Sequence, residues 1–301
     1  MRVTIAGIEF SNPVIAASGT FGYGIEFDDI VSLEKLGAFV TKGLSRFPMA
    51  GNAAPRIIET SGGMMNAIGL QNVGVDAFIE KKLPRLQKRP NVKVIANVFG
   101  STIADYLAVI ERLNAAHGIV AYELNVSCPN TAHGGISFGT DPEALAELTY
   151  RSHKLAARPV IVKLSPNVTS IARMARIAAD AGADAISLVN TFVSLAIDVE
   201  TRKPRIANIT GGLSGPAIKP IAVRMVWEAS RAVTIPIIGM GGIMNAADAV
   251  EFMLAGASAV QVGTASYADP RAAENIATSL RQWCHHHHVA QASDLTGKLE
   301  I

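Results

Sequence analysis

The sequence predicts a (βα)8 barrel of the TIM type, with a small N-terminal β-hairpin and insertions at the carboxyl-terminal rim of the barrel. Short apolar segments without polar alternation recur along the 301 residues, as expected for parallel strands that are buried on both faces. A segment with helical spacing follows most of them, which gives eight strand–helix units. A doubly wound open sheet is the alternative. No linker or low-complexity tract divides the chain, so we expect residues 1–301 to form one domain.

The first half of the chain supplies the hairpin and four of the strands. Residues 2–10 are predicted as the hairpin, and Asp141 is a suitable N-cap for a helix that has Pro142 in its first turn. The loop at residues 43–74 is too long for a bare connection, so we expect it to be functional. In chain order, the predicted elements are the strand 13–18, the helix 26–36, the strand 38–42, the helix 75–88, the strand 92–98, the helix 102–116, the strand 119–127 and the helix 142–157.

The second half of the chain repeats the same alternation. The helix predicted at 169–181 is amphipathic and stops at Gly182. Residues 191–215 are irregular and contain the pair Gly211 and Gly212. In chain order, the predicted elements are the strand 159–164, the helix 169–181, the strand 184–190, the helix 216–231, the strand 235–239, the helix 246–254, the strand 259–263 and the helix 271–283.

The composition of the chain argues against several classes of function. A net charge of +2 gives no general reason to expect binding to nucleic acid or to a charged membrane. The chain has only two cysteines, Cys128 and Cys284, which do not make a disulfide framework and favour a reducing cytoplasm. It begins without a leader and contains no apolar span of about 18 residues, so a soluble cytoplasmic protein is expected. The histidine run at 285–288 is interpreted as a solvated helix end without a catalytic metal.

Polar residues and glycines follow the predicted barrel strands. Active sites of such barrels lie at the carboxyl ends of the strands, so these residues are expected to meet at one rim. They are Ser18, Gly19 and Thr20 after the first strand, Lys42 and Gly43 after the second, Asn97 after the third, Asn125 and Cys128 after the fourth, Lys163 and Ser165 after the fifth, Asn190 and Thr191 after the sixth, Gly239, Gly241 and Gly242 after the seventh, and Gly263 and Thr264 after the eighth.

The glycines after the last two strands predict a phosphate site. Glycine permits a close approach of the backbone, and each turn opens toward a helix, whose first N–H groups favour an anion. Either turn taken alone also fits an ordinary connection. Together, at the position where barrels commonly bind phosphate, Gly241, Gly242 and Gly263 indicate a phosphate group on the ligand.

Two lysines at strand ends point to the rest of that ligand. Lys42 and Lys163 end apolar strands, where a buried ammonium group needs a partner. Together with the amides of Asn97, Asn125 and Asn190, they suit a flat anionic ligand with many heteroatoms. FMN fits this description, because it has a phosphate and a ring that becomes negative on reduction, which a lysine stabilises.

The segment at residues 125–130 joins a buried strand to a glycine-rich loop. Its two outer amides flank Cys128, and Pro129 ends the strand because it has no N–H to donate. A functional cysteine is favoured over a buried, inert thiol, since loops on rigid scaffolds often carry function. The amide-rich loop at 66–72 can wrap a small polar ligand.

Five segments resemble dihydroorotate dehydrogenases, and the resemblance runs from about Ile8 to Ala268. The start at residues 17–22 (ASGTFG) is most similar to the NAD-linked class 1B catalytic subunits, rather than to the fumarate-linked class 1A enzymes. The five segments are 66–72 (NAIGLQN), 125–130 (NVSCPN), 162–167 (VKLSPN), 211–216 (GGLSGP) and 238–243 (IGMGGI).

The resemblance implies an FMN-containing barrel that oxidises (S)-dihydroorotate to orotate in de novo pyrimidine synthesis. Cys128 would be the base that takes the C5 proton while the C6 hydride passes to FMN. Residues 129–140 would form a lid over the substrate. The implied substrate-binding residues are Lys42, Asn66, Ala67, Ile68, Gly69, Leu70, Asn125, Asn190 and Thr191. The implied FMN-binding residues are Ser18, Lys42, Gly43, Asn97, Asn125, Lys163, Val189, Gly215, Gly241, Gly242, Gly263 and Thr264.

The class 1B resemblance also implies a partner subunit that carries FAD and a [2Fe–2S] cluster and passes electrons to NAD⁺. Such a cluster needs four cysteine ligands, and this chain has only two cysteines, so the partner would supply it. The implied assembly is a heterotetramer built on a homodimer of catalytic subunits. The alternatives are a fumarate-linked enzyme without a partner, a non-redox barrel that acts as a lyase or isomerase on a phosphorylated sugar, and an inactive barrel with only a binding role.

Overall fold

The computed structural model describes residues 1–27, 29–89, 91–127 and 138–301. Its strands are β1 (Val3–Ile5), β2 (Ile8–Phe10), β3 (Val14–Ala16), β4 (Ala38–Val40), β5 (Ile57–Thr60), β6 (Gly63–Asn66), β7 (Val94–Val98), β8 (Ile119–Asn125), β9 (Val160–Lys163), β10 (Ala185–Leu188), β11 (Phe192–Leu195), β12 (Ile197–Asp198), β13 (Lys203–Pro204), β14 (Thr210–Ser214), β15 (Ile237–Met240) and β16 (Ala259–Val262).

Eight parallel strands close into a barrel. Their order around the barrel is the order along the chain, namely β3, β4, β7, β8, β9, β10, β15 and β16, and β16 pairs with β3 to complete the closure. Every residue of β7, β10 and β15 is buried, which explains why these segments are mostly apolar and show no regular alternation with polar residues. The predicted TIM barrel is therefore confirmed, and the open doubly wound sheet is wrong. The predicted hairpin is also present, since β1 and β2 pair antiparallel.

Helices connect the barrel strands, and four of those in the described ranges begin at a side-chain N-cap, namely Thr102, Asp141, Ser170 or Asn245. Asp105 N donates to Thr102 Oγ1 while Thr102 N donates to Asp105 Oδ2, which satisfies two backbone donors at the start of a helix. Asp141 is an N-cap as predicted, because its Oδ1 accepts from the N–H groups of Glu143 and Ala144. The helices are α1 (Val75–Ala77), α2 (Leu83–Gln87), α3 (Ile103–Asn114), α4 (Pro142–Leu155), α5 (Ile171–Asp180), α6 (Lys219–Ser230), α7 (Ala246–Leu254), α8 (Ala265–Ala268) and α9 (Ala272–His286), with a π-helical segment, Phe78–Lys82, between α1 and α2.

The two long irregular segments of the sequence build a second sheet. Strands β5 and β6 lie within residues 43–74, β11 and β14 lie within residues 191–215, and the four form an antiparallel sheet in the order β11-β14-β6-β5. The pair Gly211 and Gly212 belongs to β14 rather than to a turn. Glycine is needed there, because a Cβ on Gly212 would lie 2.0 Å from Thr191 Oγ1. These strands are the predicted insertions between barrel strands.

The helix predicted at residues 26–36 is wrong. The described part of this segment has only two 3₁₀ turns, Ile25–Phe27 and Leu33–Lys35. Ser32 between them is extended, and its N–H donates to Glu274 Oε2 of α9 at 3.1 Å. A contact with a distant helix therefore overrides the helical spacing of this segment.

The hydrophobic core lies between the barrel strands and the helices around them. Val109, Leu145 and Ala175 on three successive helices are fully buried, as are Ile15 and Ile95 on the strands. None of the helices in the described ranges combines the length and the apolar character that a bilayer-spanning helix requires.

Candidate active site

The predicted polar residues of three neighbouring strands meet at the carboxyl end of the barrel. Asn97 on β7 is in register with Glu123 on β8, and Asn125 on β8 is in register with Lys163 on β9. Alternate residues of a strand point to the same side, so Glu123 and Asn125 share one side of β8. The ends of β7, β8 and β9 thus place polar side chains next to one another.

Glu123 is the centre of a buried network that joins five strands. Its Oε1 accepts from Asn97 Nδ2 at 2.8 Å and lies 3.9 Å from Lys163 Nζ. Its Oε2 accepts from Ser187 Oγ at 2.9 Å and from Gln261 Nε2 at 2.6 Å. Since the carboxylate is fully buried, these contacts provide the hydrogen bonds and the opposite charge that a buried carboxylate requires.

Sequence reasoning missed three members of this network, Glu123, Ser187 and Gln261. The available signal was a charged residue inside the apolar run at 119–125, because a fully buried glutamate needs partners. The sequence did not show which strands would supply those partners.

Asn97 has an unused hydrogen-bond acceptor. Its side chain is fully buried, its amino group donates to Glu123, and its Oδ1 has no partner among the described residues. Leaving a buried acceptor unsatisfied costs about 1–3 kcal/mol, so this oxygen is suited to an N–H group of a ligand. Glycine at position 43 avoids a tight contact with this oxygen, because a Cβ there would lie 3.1 Å from Asn97 Oδ1.

Two lysines give this part of the rim a positive charge. Lys163 is only 6% exposed, and Lys42, which follows β4, is half-buried. Burial lowers the pKa of Lys42, and the positive charges of Arg56 and Lys163 lower it further. A neighbouring anion would relieve this repulsion, so the site favours a ligand with negative charge.

The amides of Asn125 and Asn190 contact each other across the rim. Asn190 Nδ2 donates to Asn125 Oδ1 at 3.2 Å, and Asn190 Oδ1 accepts from the N–H of Thr191 at 2.8 Å. The backbone carbonyl of Asn125 accepts from the hydroxyl of Tyr106 at 2.7 Å. These contacts bring together three residues that the sequence placed at the substrate.

The amide-rich loop begins at the end of β6 and is held to the rim sheet. Asn66 Nδ2 donates to the carbonyl of Gly212 at 3.5 Å. Gly69 and Leu70 both have positive φ, +71° and +53°, and a Cβ on Gly69 would lie 2.6 Å from the backbone N of Asn52. The glycine is therefore required by the packing of the loop. The other predicted members of the loop, Ala67 and Ile68, lie between Asn66 and Gly69 and are half-buried.

The glycines of the opposite part of the rim pack backbone against backbone. Gly241 and Gly242 directly follow β15 with φ of +128° and +79°. A Cβ on Gly242 would lie 2.7 Å from the carbonyl oxygen of Gly215. Thr264, after β16, donates from Oγ1 to Ser214 Oγ at 2.8 Å, which ties the end of β14 to the same place. A surface lined by glycine backbone suits a phosphate group.

The remaining predicted residues lie at strand ends or outside the described ranges. Ser18 follows β3, and Val189 follows β10, where its N–H donates to the carbonyl of Met240 at 3.1 Å. A Cβ on Gly263 would make only an ordinary contact of 3.5 Å, so packing alone does not require glycine there. Cys128 and residues 129–137 of the predicted lid lie outside the described residues.

The histidine run lies at the end of α9, whose last residue is His286. The imidazole of His287 stacks on Trp283 with ring centroids 4.1 Å apart. In the described ranges, no three His, Cys, Asp or Glu side chains are arranged to hold a metal ion.

The fold and the rim together define a TIM-barrel protein whose carboxyl rim combines lysines and amides with a glycine-lined turn. The chain belongs to the dihydroorotate dehydrogenase family, whose model matches residues 1–283.

The full-length relatives carry a more specific name. Proteins from Geobacter sp. (strain M21) and Citrifermentans bemidjiense are each 58% identical over 301 residues, which is 100% of this chain and 98% of theirs. A protein from Geobacter sulfurreducens is 56% identical with the same coverage. All three are named dihydroorotate dehydrogenase B (NAD(+)), catalytic subunit.

Proposed function

We propose that this chain oxidises (S)-dihydroorotate to orotate in pyrimidine synthesis, with FMN bound at the carboxyl rim of the barrel and NAD⁺ as the final acceptor. The observation that carries the proposal is the similarity over the whole chain to relatives named as the catalytic subunit of this enzyme. A non-redox enzyme acting on a phosphorylated sugar accounts for the glycine turn but gives no role to the buried lysines and amides beside it.

The residues of the rim fit FMN in three respects. Asn97 Oδ1 is a buried acceptor without a partner in the described ranges, and an isoalloxazine ring has an N–H to offer it. Lys163 places a positive charge at the same place, and the backbone of Gly241 and Gly242 suits the phosphate. When bound, FMN supplies the two-electron acceptor for the hydride. The other proposed FMN contacts are Ser18, Lys42, Gly43, Asn125, Val189, Gly215, Gly263 and Thr264.

The substrate would lie among the amides and the second lysine. Dihydroorotate has a carboxylate, for which Lys42 is a suitable partner, and ring N–H and C=O groups that match the amides of Asn66, Asn125 and Asn190. The backbone of the amide-rich loop and Thr191 complete the proposed contacts. The thiol of Cys128 is the proposed base for the C5 proton, because a thiolate is a competent acceptor near neutral pH.

The proposed electron path leaves this chain through a partner that carries FAD and a [2Fe–2S] cluster. The relatives are named as a catalytic subunit, which supports the existence of a second subunit, and their NAD(+) name favours the NAD-linked over the fumarate-linked enzyme. Exposed apolar side chains on the rim insertions, including Val193 and Val199, which are 62% and 79% exposed, support contact with another protein. The proposed assembly is a cytoplasmic heterotetramer with a homodimer of this chain.

Anaerobic spectroscopy tests the proposed reaction. The purified chain reconstituted with FMN should be yellow, and its visible absorption should bleach on addition of (S)-dihydroorotate. The (R)-enantiomer is the matched control and should leave the spectrum unchanged. Failure to take up FMN, or an unchanged spectrum with the (S)-enantiomer, would contradict the proposal.

A second assay distinguishes the electron acceptors. The reduced chain is offered NAD⁺, fumarate or a quinone, with and without the FAD and iron–sulfur subunit of a related species. We expect NAD⁺ turnover only with the partner present. Rapid fumarate turnover by this chain alone would overturn the NAD-linked assignment.

A further inference from the structure

The buried carboxylate of Glu123 contacts two of the residues proposed to hold FMN through a single oxygen. Its Oε1 accepts from Asn97 Nδ2 and is also the atom nearest to Lys163 Nζ. Its other oxygen, Oε2, accepts hydrogen bonds from Ser187 and Gln261 instead. Glu123 is fully buried, so solvent cannot replace any of these partners.

An ionised carboxylate accepts hydrogen bonds and donates none. Asn97 therefore has to turn its amino group toward Glu123, which leaves Oδ1 as a buried acceptor without a partner in the described ranges. The reverse orientation would place two acceptors, Asn97 Oδ1 and Glu123 Oε1, against each other in a buried site. Such an arrangement leaves both oxygens unsatisfied and is strongly disfavoured.

Lys163 reinforces this arrangement. Its Nζ lies 3.9 Å from Glu123 Oε1, which is within ion-pair range but beyond hydrogen-bond range, so the lysine supports the negative charge of Glu123 without displacing Asn97.

We propose that Glu123 is a positioning residue that fixes the side-chain amide of Asn97 so that its oxygen, and not its amino group, is presented to the N–H of the cofactor ring. This inference rests on the proposed binding of FMN. It gives Glu123 no direct contact with the cofactor or the substrate, and it explains why an ionisable residue lies in the middle of an otherwise apolar strand.

A double-mutant cycle on FMN affinity tests the inference. Glu123→Gln allows residue 123 to donate, so the Asn97 amide is no longer held in one orientation, and FMN should bind about tenfold more weakly, as for the loss of one buried hydrogen bond. Asn97→Asp alone places two carboxylates together and should weaken FMN binding further. In the double variant E123Q/N97D the donor and acceptor of the pair are exchanged and the net charge is restored, so FMN should bind more tightly than to N97D. Losses that simply add would overturn the inference.

Ser187→Ala is the matched control. It removes a hydrogen bond from the same carboxylate but on Oε2, and it leaves the contact between Oε1 and Asn97 intact. We expect FMN affinity within about twofold of the parent chain. A loss equal to that of E123Q would show that any damage to the network has the same effect, and the positioning role would be wrong.

A spectroscopic measurement on the parent chain gives a result even if the variants fail to fold. With FMN labelled with ¹⁵N in the ring, NMR should show the ring N–H proton of the bound cofactor as a slowly exchanging signal, since it donates to a buried oxygen. E123Q should lose that protection. Bound FMN whose ring N–H exchanges rapidly in the parent would refute the inference, whereas a parent chain that takes up no FMN would refute the proposed function instead.

Discussion

The two parts of the rim present different kinds of chemical groups. The side-chain part, at the ends of β7, β8 and β9 and just after β10, presents amides and ammonium groups. Asn97 and Lys163 contact Glu123, and Asn125 contacts Asn190. The glycine part, after β14 and β15, uses backbone atoms brought close by the absence of Cβ, as at Gly215 and Gly242. The first part can orient a ring with directed hydrogen bonds, whereas the second can enclose a compact anion.

This difference predicts different responses to mutation. Changes in the side-chain part should alter chemistry while the fold persists, because they leave the backbone of the barrel strands unchanged. Changes in the glycine part should affect the backbone itself, and stability and phosphate binding should fall together. The following experiments test that division in order of the expected effect.

The largest effect is expected at Cys128, which follows β8 in the sequence. Cys128→Ala should lower the rate of flavin reduction by dihydroorotate by about 10²- to 10⁴-fold, the usual contribution of a general base, while FMN stays bound. Anaerobic stopped-flow absorbance measures this rate. Cys284→Ala, at the other cysteine, which is buried in α9, is the control and should keep the parent rate. A C128A rate within tenfold of the parent would exclude this thiol as the base.

A smaller chemical effect is expected at Lys163. Lys163→Met keeps the length and the apolar stem but removes the charge beside Glu123, so flavin reduction should slow by roughly 10²-fold, as for the loss of one electrostatic stabiliser of developing charge. Lys203→Met, at an exposed position in β13, controls for the loss of a positive charge elsewhere. Equal reduction rates and equal FMN affinity in K163M and the parent would remove Lys163 from the proposed FMN site.

The side-chain part of the rim was largely predictable from the sequence. Parallel strands in one barrel end at the same rim, so the position of Asn97, Asn125 and Lys163 followed once the strands were recognised. The role of Glu123 was not predictable in this way. Its partners Ser187 and Gln261 lie on strands far apart in the chain, and only closure of the barrel brings them together.

The rim insertions show a different limit of the sequence. Residues 191–215 have no regular pattern in the sequence, whereas Gly211 and Gly212 are in β14, where neighbouring atoms leave no room for a side chain. The helix expected at 26–36 fails for a related reason, since Glu274 on α9 fixes Ser32 in an extended conformation. In both cases a contact between distant segments outweighs the local pattern.

The glycine part is tested by a pair of variants at positions with nearly the same positive φ. Gly242 and Gly7 have φ of +79° and +76°, so Gly→Ala at either position should cost about 1–2 kcal/mol of left-handed strain. A Cβ on Gly242 would lie 2.7 Å from the Gly215 carbonyl oxygen. A Cβ on Gly7, in the turn of the β1–β2 hairpin, would have no atom within 4 Å. G242A should therefore lose more stability than G7A, and it alone should lose FMN affinity.

Binding of riboflavin, which lacks the phosphate, separates the two contributions in these variants. If Gly242 lines the phosphate site, G242A should bind FMN no better than riboflavin, while G7A should keep the preference of the parent for FMN. A preference for FMN that survives in G242A would place the phosphate elsewhere.

The smallest expected effect is a change in the stability of the ligand-free chain when Lys42 is replaced. Here the substitution should increase stability. Burial, together with Arg56 and Lys163, lowers the pKa of Lys42, so the folded state binds this proton less tightly than the unfolded state does. Stability from this group therefore rises with pH between the lowered pKa and the ordinary lysine value of about 10.4. Below that window both states are protonated, and the folded chain carries the full cost of the buried charge.

Lys42→Met should accordingly raise the melting temperature of the ligand-free chain at pH 7 by roughly a few degrees, and it should remove part of the rise in stability at alkaline pH. With orotate bound, the parent should have a higher melting temperature than K42M. The anion stabilises the folded parent through its contact with Lys42, and the variant lacks that contact. Scanning calorimetry from pH 7 to about pH 10, with and without orotate, measures both effects. If K42M were less stable than the parent without ligand, the cost of burying the Lys42 charge would already be offset within the chain, and the side-chain part of the rim would need no anion to complete it.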